Sequence, residues 1–339
     1  MKRLRFFVFL LLLAALPGCG GGSPQSADVL AMDTVMKLTV YSQTEGQGEA
    51  ALQKAVDEIK ALEGLLSVTD ESSEIYRANH SPGRAVPLSE PTRALLSDAL
   101  ALCAATDGAL DVTVYPIVRA WGFTTGACRI PVEEEIQSLL AQVDYSRVFL
   151  DGDALTLPVG TELDLGAVAK GFAGDRLMAL FRKEGVESAI VELGGNVHAL
   201  GCKPDGSPWQ VALQAPEGGF AGMLEIVDKA VVTSGGYQRF FEKDGARYIH
   251  IIDPKTGYPA ETGLASATIV AGSGLLGDGL STALFVMGRE RAEAYWRTHG
   301  GFEFVLLTET GRAVISEGLE GCFHLYGEWE NRPVEVVRR

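Results

Sequence analysis

Disulfide and zinc chemistry are the first things this sequence leaves out. Its five cysteines include no C-x-x-C pair. Cys103, Cys128, Cys202 and Cys322 are too scattered to indicate a metal cluster or a disulfide framework, so buried thiols are expected. H-E-x-x-H is absent, as is G-x-x-x-x-G-K-[ST], and no clean G-x-G-x-x-G joins a strand to a helix, which removes the usual sequence signs of a zinc protease, a P-loop or a Rossmann site. Positive charge is scarce too, with 29 Lys and Arg against 44 Asp and Glu in 339 residues, a balance that disfavours nucleic acid and anionic lipid surfaces. The apolar run at residues 6–15 is too short to span a membrane comfortably. No internal repeat is evident.

What is present begins with a processing signal. Lys2, Arg3 and Arg5 precede the apolar run, and Leu16-Pro17-Gly18-Cys19 follows it at once. Small residues before a cysteine, in place of an A-x-A site, point to a bacterial lipoprotein in which residues 1–18 are removed and Cys19 carries lipid. An ordinary secretory signal would instead leave Cys19 as an exposed free thiol. Residues 19–27 read as a flexible tether and 28–332 as the folded unit. Losing three of the 29 basic residues leaves 26 against 44 acids, a net of −18, so the membrane is met through lipid rather than charge.

Periodicity predicts a strand over 29–41, with Met32-Asp33-Thr34 at its start, and an amphipathic helix over 48–66. Ser89 and Pro91 open a second helix, which Gly108 closes. A β-branched run at 108–116 holds one acid, Asp111. A surface helix at 131–143, a hairpin at 148–157 and a helix ending near Gly185 come next. Strands are predicted at 188–193, 210–214, 224–233 and 267–271, with hairpins turning near Asp244 and Thr310. Two helices, one from about Gly277 and one over 289–299, complete the set. Helices and strands intermix without strict βαβ alternation, which argues for an α+β fold.

Chemistry concentrates in a few places. Asp278 and Thr282 are four apart on a helix whose remaining surface is largely apolar, so both oxygens face one way. A hard cation is one reason to turn a carboxylate and a hydroxyl into one strip; a helix cap with a back-bonded threonine is the plainer one. Gly166 and Gly171 flank Lys170 in a strand-to-helix turn suited either to an anion or to tight packing. Gly194-Gly195-Asn196 and Ser234-Gly235-Gly236 each follow an apolar strand and let backbone approach a ligand. Such turns at several strand ends suggest one extended ligand. His250 stands at a strand end, where a neutral imidazole can accept a proton. His80, His198, His299 and His324 read as surface or satisfied core.

Taken together, Asp164-Leu165-Gly166-Ala167-Val168-Ala169-Lys170-Gly171, Gly194-Gly195-Asn196, Thr233-Ser234-Gly235, His250-Ile251-Ile252-Asp253-Pro254-Lys255-Thr256-Gly257 and the 278–288 run resemble the FAD:protein FMN transferase family, long labelled ApbE. The resemblance runs from about Met32 to the C-terminal hairpin. It implies a two-lobed fold with FAD in the cleft, and a Mg²⁺ site at Asp278, Thr282 and the Ala167 carbonyl. Ser281 stands where some members place a second acid. Flavin contacts are implied for Met32, Ala109, Leu110, Asp111, Asp164, Lys170 and Ile252, and for Thr69, where the family often has an aromatic. His250 is implied as the base. The implied reaction moves FMN from FAD to a threonine or serine hydroxyl of an acceptor redox protein. Alternatives are Mg²⁺-dependent FAD hydrolysis at the same site, or a lipid-anchored flavin-binding protein without turnover.

Overall fold

The computed structural model describes residues 24–339. Among them, nine strands form one sheet in chain order: β1 (Pro24–Ala31), β2 (Thr34–Tyr41), β3 (Ser188–Leu193), β4 (Asn196–Leu200), β5 (Ala230–Gly235), β6 (Leu264–Ala271), β7 (Phe302–Thr308), β8 (Ala313–Ser316) and β9 (Val334–Val337). Neighbours are antiparallel except β8 and β9, which run parallel. Seven α-helices are placed: α1 (Glu45–Leu66), α2 (Glu74–Asn79), α3 (Glu90–Ala105), α4 (Tyr115–Trp121), α5 (Glu133–Leu140), α6 (Ala169–Lys183) and α7 (Gly274–Thr298).

The sheet is covered on both faces, and strand alternation divides its side chains between two cores. On one face α1, α6 and α7 pack over β1, β2 and the β4–β6 region. On the other, a three-stranded sheet (Trp209–Gln214, Phe220–Ile226, Phe323–Leu325) closes over Val231, Val270, Leu307 and Ile315. Within β5, Val231 joins this second core, whereas Val232 lies against Gly277 of α7. A smaller cluster of Ile117, Trp121, Phe123, Ile136 and Ile252 ties α4 and α5 to the segment after His250; there Trp121 Nε1 donates to the Gly257 carbonyl at 2.9 Å. This mixed architecture agrees with the α+β expectation.

Several boundaries differ from the sequence reading. The strand expected over 29–41 is a hairpin whose two-residue turn, Met32-Asp33, has φ of 50° and 59°. Such turns favour Asn-Gly, so Met-Asp gave no break in the apolar pattern. The expected tether ends early, because Pro24 already starts β1 and pairs opposite Tyr41; proline is tolerated as the first residue of an edge strand. The folded unit runs past residue 332, since β9 pairs with β8. The single strand expected over 224–233 is two strands in different sheets, parted by a turn with Asp228 at φ 49°. The run at 108–116 forms a turn with one bridge, Val114 to Glu162, and then α4. The two helices expected after residue 277 are present as the two segments of α7, parted at Gly288 with φ 71° and ψ 173°, and the first starts slightly earlier, at Gly274. The signal segment and Cys19 lie outside the described residues. No described helix is long and apolar enough to cross a membrane.

Candidate active site

The site is built where α6 and α7 cross, at two glycines. A Cβ on Gly171 would stand 2.2 Å from the Gly274 carbonyl oxygen and 2.7 Å from Asp278 Cβ, so only glycine allows this approach. The contact lets Asp278 Oδ2 accept the Gly171 N–H at 2.8 Å, at the positive end of α6. Asp278 is buried. Burial pushes its carboxyl above the ordinary range, opposed by the Lys170 ammonium, by the Gly171 and Lys170 amides and by Asn196. Asn196 is also buried and lies beside this carboxylate, yet its Nδ2 has no partner in hydrogen-bonding geometry. Gly279 has a packing reason as well: a Cβ there would come within 2.2 Å of Leu102 Cδ2 and 3.1 Å of Leu110 Cδ2.

One turn further along α7, hydroxyls meet the end of β5. Ser234 Oγ lies 2.8 Å from Ser281 Oγ and 3.2 Å from Thr282 Oγ1. Ser281 is fully buried and donates back to the Asp278 carbonyl at 2.8 Å, so its hydroxyl is held inside the helix. Thr282 is half-buried, with Ser234 as its partner. Ala167 lies in the turn before α6, where the Gly171 N–H turns to Asp278 rather than back along the helix. The Asp278 carboxylate and, one turn on along α7, the Thr282 hydroxyl paired with Ser234 are oxygen donors of the kind a hard divalent cation takes. No group of three or more His, Cys, Asp or Glu gathers among the described residues, so such a cation would take much of its coordination from a ligand's phosphates and from water.

Lys170 links this corner to a second one. It donates from Nζ to the Gly166 carbonyl at 3.3 Å and faces Asp164, Asp278 and His250. Asp164 Oδ1 accepts from the Gly166 N–H at 2.8 Å; burial raises its carboxyl, while Lys170 and Arg239 oppose that rise. His250 is fixed twice to one atom, because its backbone N–H and its ring Nδ1 each lie 3.1 Å from the Arg239 carbonyl. A carbonyl only accepts, so Nδ1 carries the proton and Nε2 keeps its lone pair. Burial, with Arg239 and Lys170 nearby, pushes the His250 pKa down to about 4. The ring is neutral at ordinary pH.

The other predicted residues separate into rim and scaffold. Met32 occupies the β1–β2 turn, its N–H bonded to Glu63 Oε1 at 2.7 Å. Gly194 and Gly195 make the β3–β4 turn with φ of 62° and 93°. Thr69 is exposed, its hydroxyl 3.2 Å from Ser67 Oγ. Ala109, Leu110 and Ile252 are buried apolar positions. Asp111 braces the chain around it: Oδ1 accepts from the Thr113 N–H at 2.8 Å and from its Oγ1 at 2.6 Å, and Oδ2 from the Tyr145 N–H at 3.2 Å.

Arg239 is the neighbour of His250 that sequence reasoning passed over. Its part is played largely through a backbone carbonyl, which leaves no residue-type signal. His198, expected to be surface or satisfied, is buried with Nε2 unpartnered. Of the cysteines, Cys103 is buried, with its thiol pushed up to about 12 by burial, but Cys128 is exposed. Two cavities, of about 520 and 730 Å³, lie beside the polar cluster and share Tyr237 in their walls, and neither includes Asp278 or His250.

Comparison with known proteins gives the same direction. A sequence profile of the ApbE family matches residues 32–306. A Klebsiella pneumoniae protein named FAD:protein FMN transferase is 34% identical over 298 residues, covering 86% of this chain and 91% of that one. A Treponema pallidum protein of the same name is 32% identical over 339 residues, covering 93% and 94%. The crystal structure of an ApbE protein from Thermotoga maritima superposes with a TM-score of 0.83 at 33% identity, over 88% of this chain and 98% of that one. The apo flavinyl transferase ApbE of Pseudomonas stutzeri gives 0.77 at 32%, over 85% and 92%. This chain therefore belongs to the ApbE family.

Proposed function

We propose that the protein transfers FMN from FAD to a threonine or serine hydroxyl of an acceptor redox protein, releasing AMP, with Mg²⁺ bound at the α6–α7 crossing. Asp278, Thr282 and the Ala167 carbonyl are its ligands, with Ser281 bracing the Asp278 backbone from within. The ion supplies positive charge against the diphosphate, whose negative oxygens otherwise repel an incoming hydroxyl. Lys170 adds a second positive charge at the same place. Met32, Gly194, Gly195, Asn196 and Asp164 border the space assigned to FAD.

The acceptor hydroxyl oxygen bonds to the FMN-side phosphorus as the bond from that phosphorus to the bridging oxygen breaks. AMP leaves with the bridging oxygen. The hydroxyl proton passes to His250 Nε2, which the Nδ1 bond to Arg239 keeps available. The observation that carries this reading is the convergence of Asp278, Lys170, the Ser234–Thr282 hydroxyl pair and a neutral His250 in a chain of this family. Incubation with FAD, Mg²⁺ and a candidate acceptor tests it, with mass spectrometry reading one added FMN on the acceptor. Free FMN without protein-bound FMN refutes transfer and establishes hydrolysis, which the exposed Thr69 edge leaves room for. FAD that survives intact refutes both.

Lipid attachment at Cys19, facing the extracytoplasmic side of a bacterial membrane, completes the proposal. Its basis is the tetrapeptide ending at that cysteine. Labelled palmitate should enter the wild-type protein and not Cys19→Ala; equal labelling of both refutes the anchor.

A further inference from the structure

The two helices that make the site open with the same pattern. α6 contains Gly171-Phe172-Ala173-Gly174-Asp175 and α7 begins Gly274-Leu275-Leu276-Gly277-Asp278. Sequence reading found no internal repeat, because the copies are short and far apart in the chain. In space they are reciprocal. Asp278 of α7 accepts the Gly171 N–H of α6 at 2.8 Å. Asp175 of α6 accepts the Gly274 N–H of α7 on Oδ1 at 2.6 Å, and on Oδ2 the Leu275 N–H at 3.1 Å and the Ser273 hydroxyl at 2.9 Å. Each helix start is therefore capped by the other helix's aspartate.

The glycines repeat the relation. A Cβ on Gly171 would strike the Gly274 carbonyl, and one on Gly274 would stand 2.7 Å from the Gly171 carbonyl oxygen. β4 serves both halves: Asn196 lies beside Asp278, and His198, two residues on, has Nδ1 3.9 Å from Asp175 Oδ1. Each helix is followed by a hairpin of the main sheet, β3–β4 after α6 and β7–β8 after α7.

We propose that Asp175 is a positioning residue for the cation site at Asp278. This rests on the reading of Asp278 as a metal ligand. Asp175 sits at the far side of the crossing, beside a separate cavity of about 210 Å³ that does not include Asp278. It grips the first turn of α7, and Asp278 lies one turn further on the same helix. With both caps in place, the axial position and rotation of α7 on α6 are fixed at two points. Without Asp175, one of the two caps remains, and that cap is the carboxylate that must also meet the cation. A displacement near 1 Å at such a group costs up to about a hundredfold in rate. Capping carboxylates also interact favourably with the helix dipole, so the same residue contributes stability, and the test must separate the two effects.

The test uses the full-length protein with FAD and without acceptor, and follows Mn²⁺ binding by electron paramagnetic resonance alongside thermal unfolding. Asp175→Ala should weaken Mn²⁺ binding at least tenfold, and Asp175→Asn, which keeps an acceptor oxygen, should weaken it less. Ser316→Ala is the stability control: it removes a buried bond from Phe304 N–H at 2.9 Å in the β7–β8 hairpin. It should lower the melting temperature without changing Mn²⁺ affinity. Wild-type affinity in both Asp175 variants, with affinity lost in Asp278→Ala, overturns the proposal and leaves the cation site standing. Undiminished binding in Asp278→Ala overturns the cation site, and this proposal with it. If Asp175→Ala does not fold, Asp175→Asn carries the comparison.

Discussion

Replacing Gly171 with alanine is the sharpest test of how the site is assembled. In an open helix position alanine is favoured over glycine by about 0.5–1 kcal/mol. Here the added methyl meets backbone, 2.2 Å from the Gly274 carbonyl oxygen and 2.5 Å from its carbon. Neither atom is the end of a flexible side chain, so the helices must part by about 1 Å to restore ordinary contact, an overpacking cost of about 1–3 kcal/mol. The net loss, roughly 1–2 kcal/mol, corresponds to a fall in Tm of about 1.5–3 °C for a chain of this size. The same displacement stretches the 2.8 Å bond from Gly171 N–H to Asp278 beyond hydrogen-bonding range. FMN transfer should fall by about ten- to a hundredfold, a larger effect than the stability loss alone produces at 25 °C. Gly64→Ala in α1 is the control, because its methyl meets nothing within 4 Å; it should raise Tm slightly and leave transfer alone. A Gly171→Ala protein as stable and active as the wild type refutes the crossing as the site's organising contact.

Asp278→Ala should abolish FMN transfer while far-ultraviolet circular dichroism remains that of the folded chain; transfer at the normal rate with Mg²⁺ sinks the proposed role. His250→Gln should lower kcat by about 10²–10⁴-fold, and the acidic limb of kcat/KM in the wild type should lie near pH 4 rather than near 6.5. Because the folded pKa lies below the unfolded one, the unfolded chain binds more protons between those values, so His250 makes stability fall as pH drops from 6.5 towards 4. His198, also lowered by burial, acts in the same direction, and His250→Gln should flatten the slope seen in urea titrations across that window. Asp111→Ala strands two backbone N–H groups and a hydroxyl and should cost about 2–4 kcal/mol in chemical denaturation, whereas Thr69→Ala should change stability by less than about 0.5 kcal/mol.

The parts of the molecule that were readable in the sequence are those where side-chain type carries the information. The amphipathic stripe of α1, the hairpin at Asp151-Gly152-Asp153 and the placing of Asp278 and Thr282 one turn apart on one helix all follow from spacing alone. The family motifs named the remaining site residues. What escaped depends on backbone atoms. The Met32-Asp33 turn, the Arg239 carbonyl that orients His250 and the amides that Asp175 and Asp278 cap are main-chain features, which almost any residue could supply. Asp111 shows the same from the other side: the resemblance implied a flavin contact, whereas no spacing in the sequence foretold that its oxygens accept from Thr113 and from the Tyr145 N–H. Gly279, a poor helix former by propensity, is explained by Leu102 and Leu110 lying where its side chain would be.

The early start of β1 has a consequence for where the enzyme can work. Were Cys19 acylated as proposed, the stretch up to Pro24, where the first sheet pairing is made, would allow a leash of about 17 Å at full stretch. The eight residues of β1 add roughly 26 Å before the chain turns at Met32. On that proposal, the Met32 turn would lie within about 45 Å of the lipid surface. An acceptor that presents its hydroxyl close to the membrane would then be within reach, and one raised on a long stalk would pass overhead.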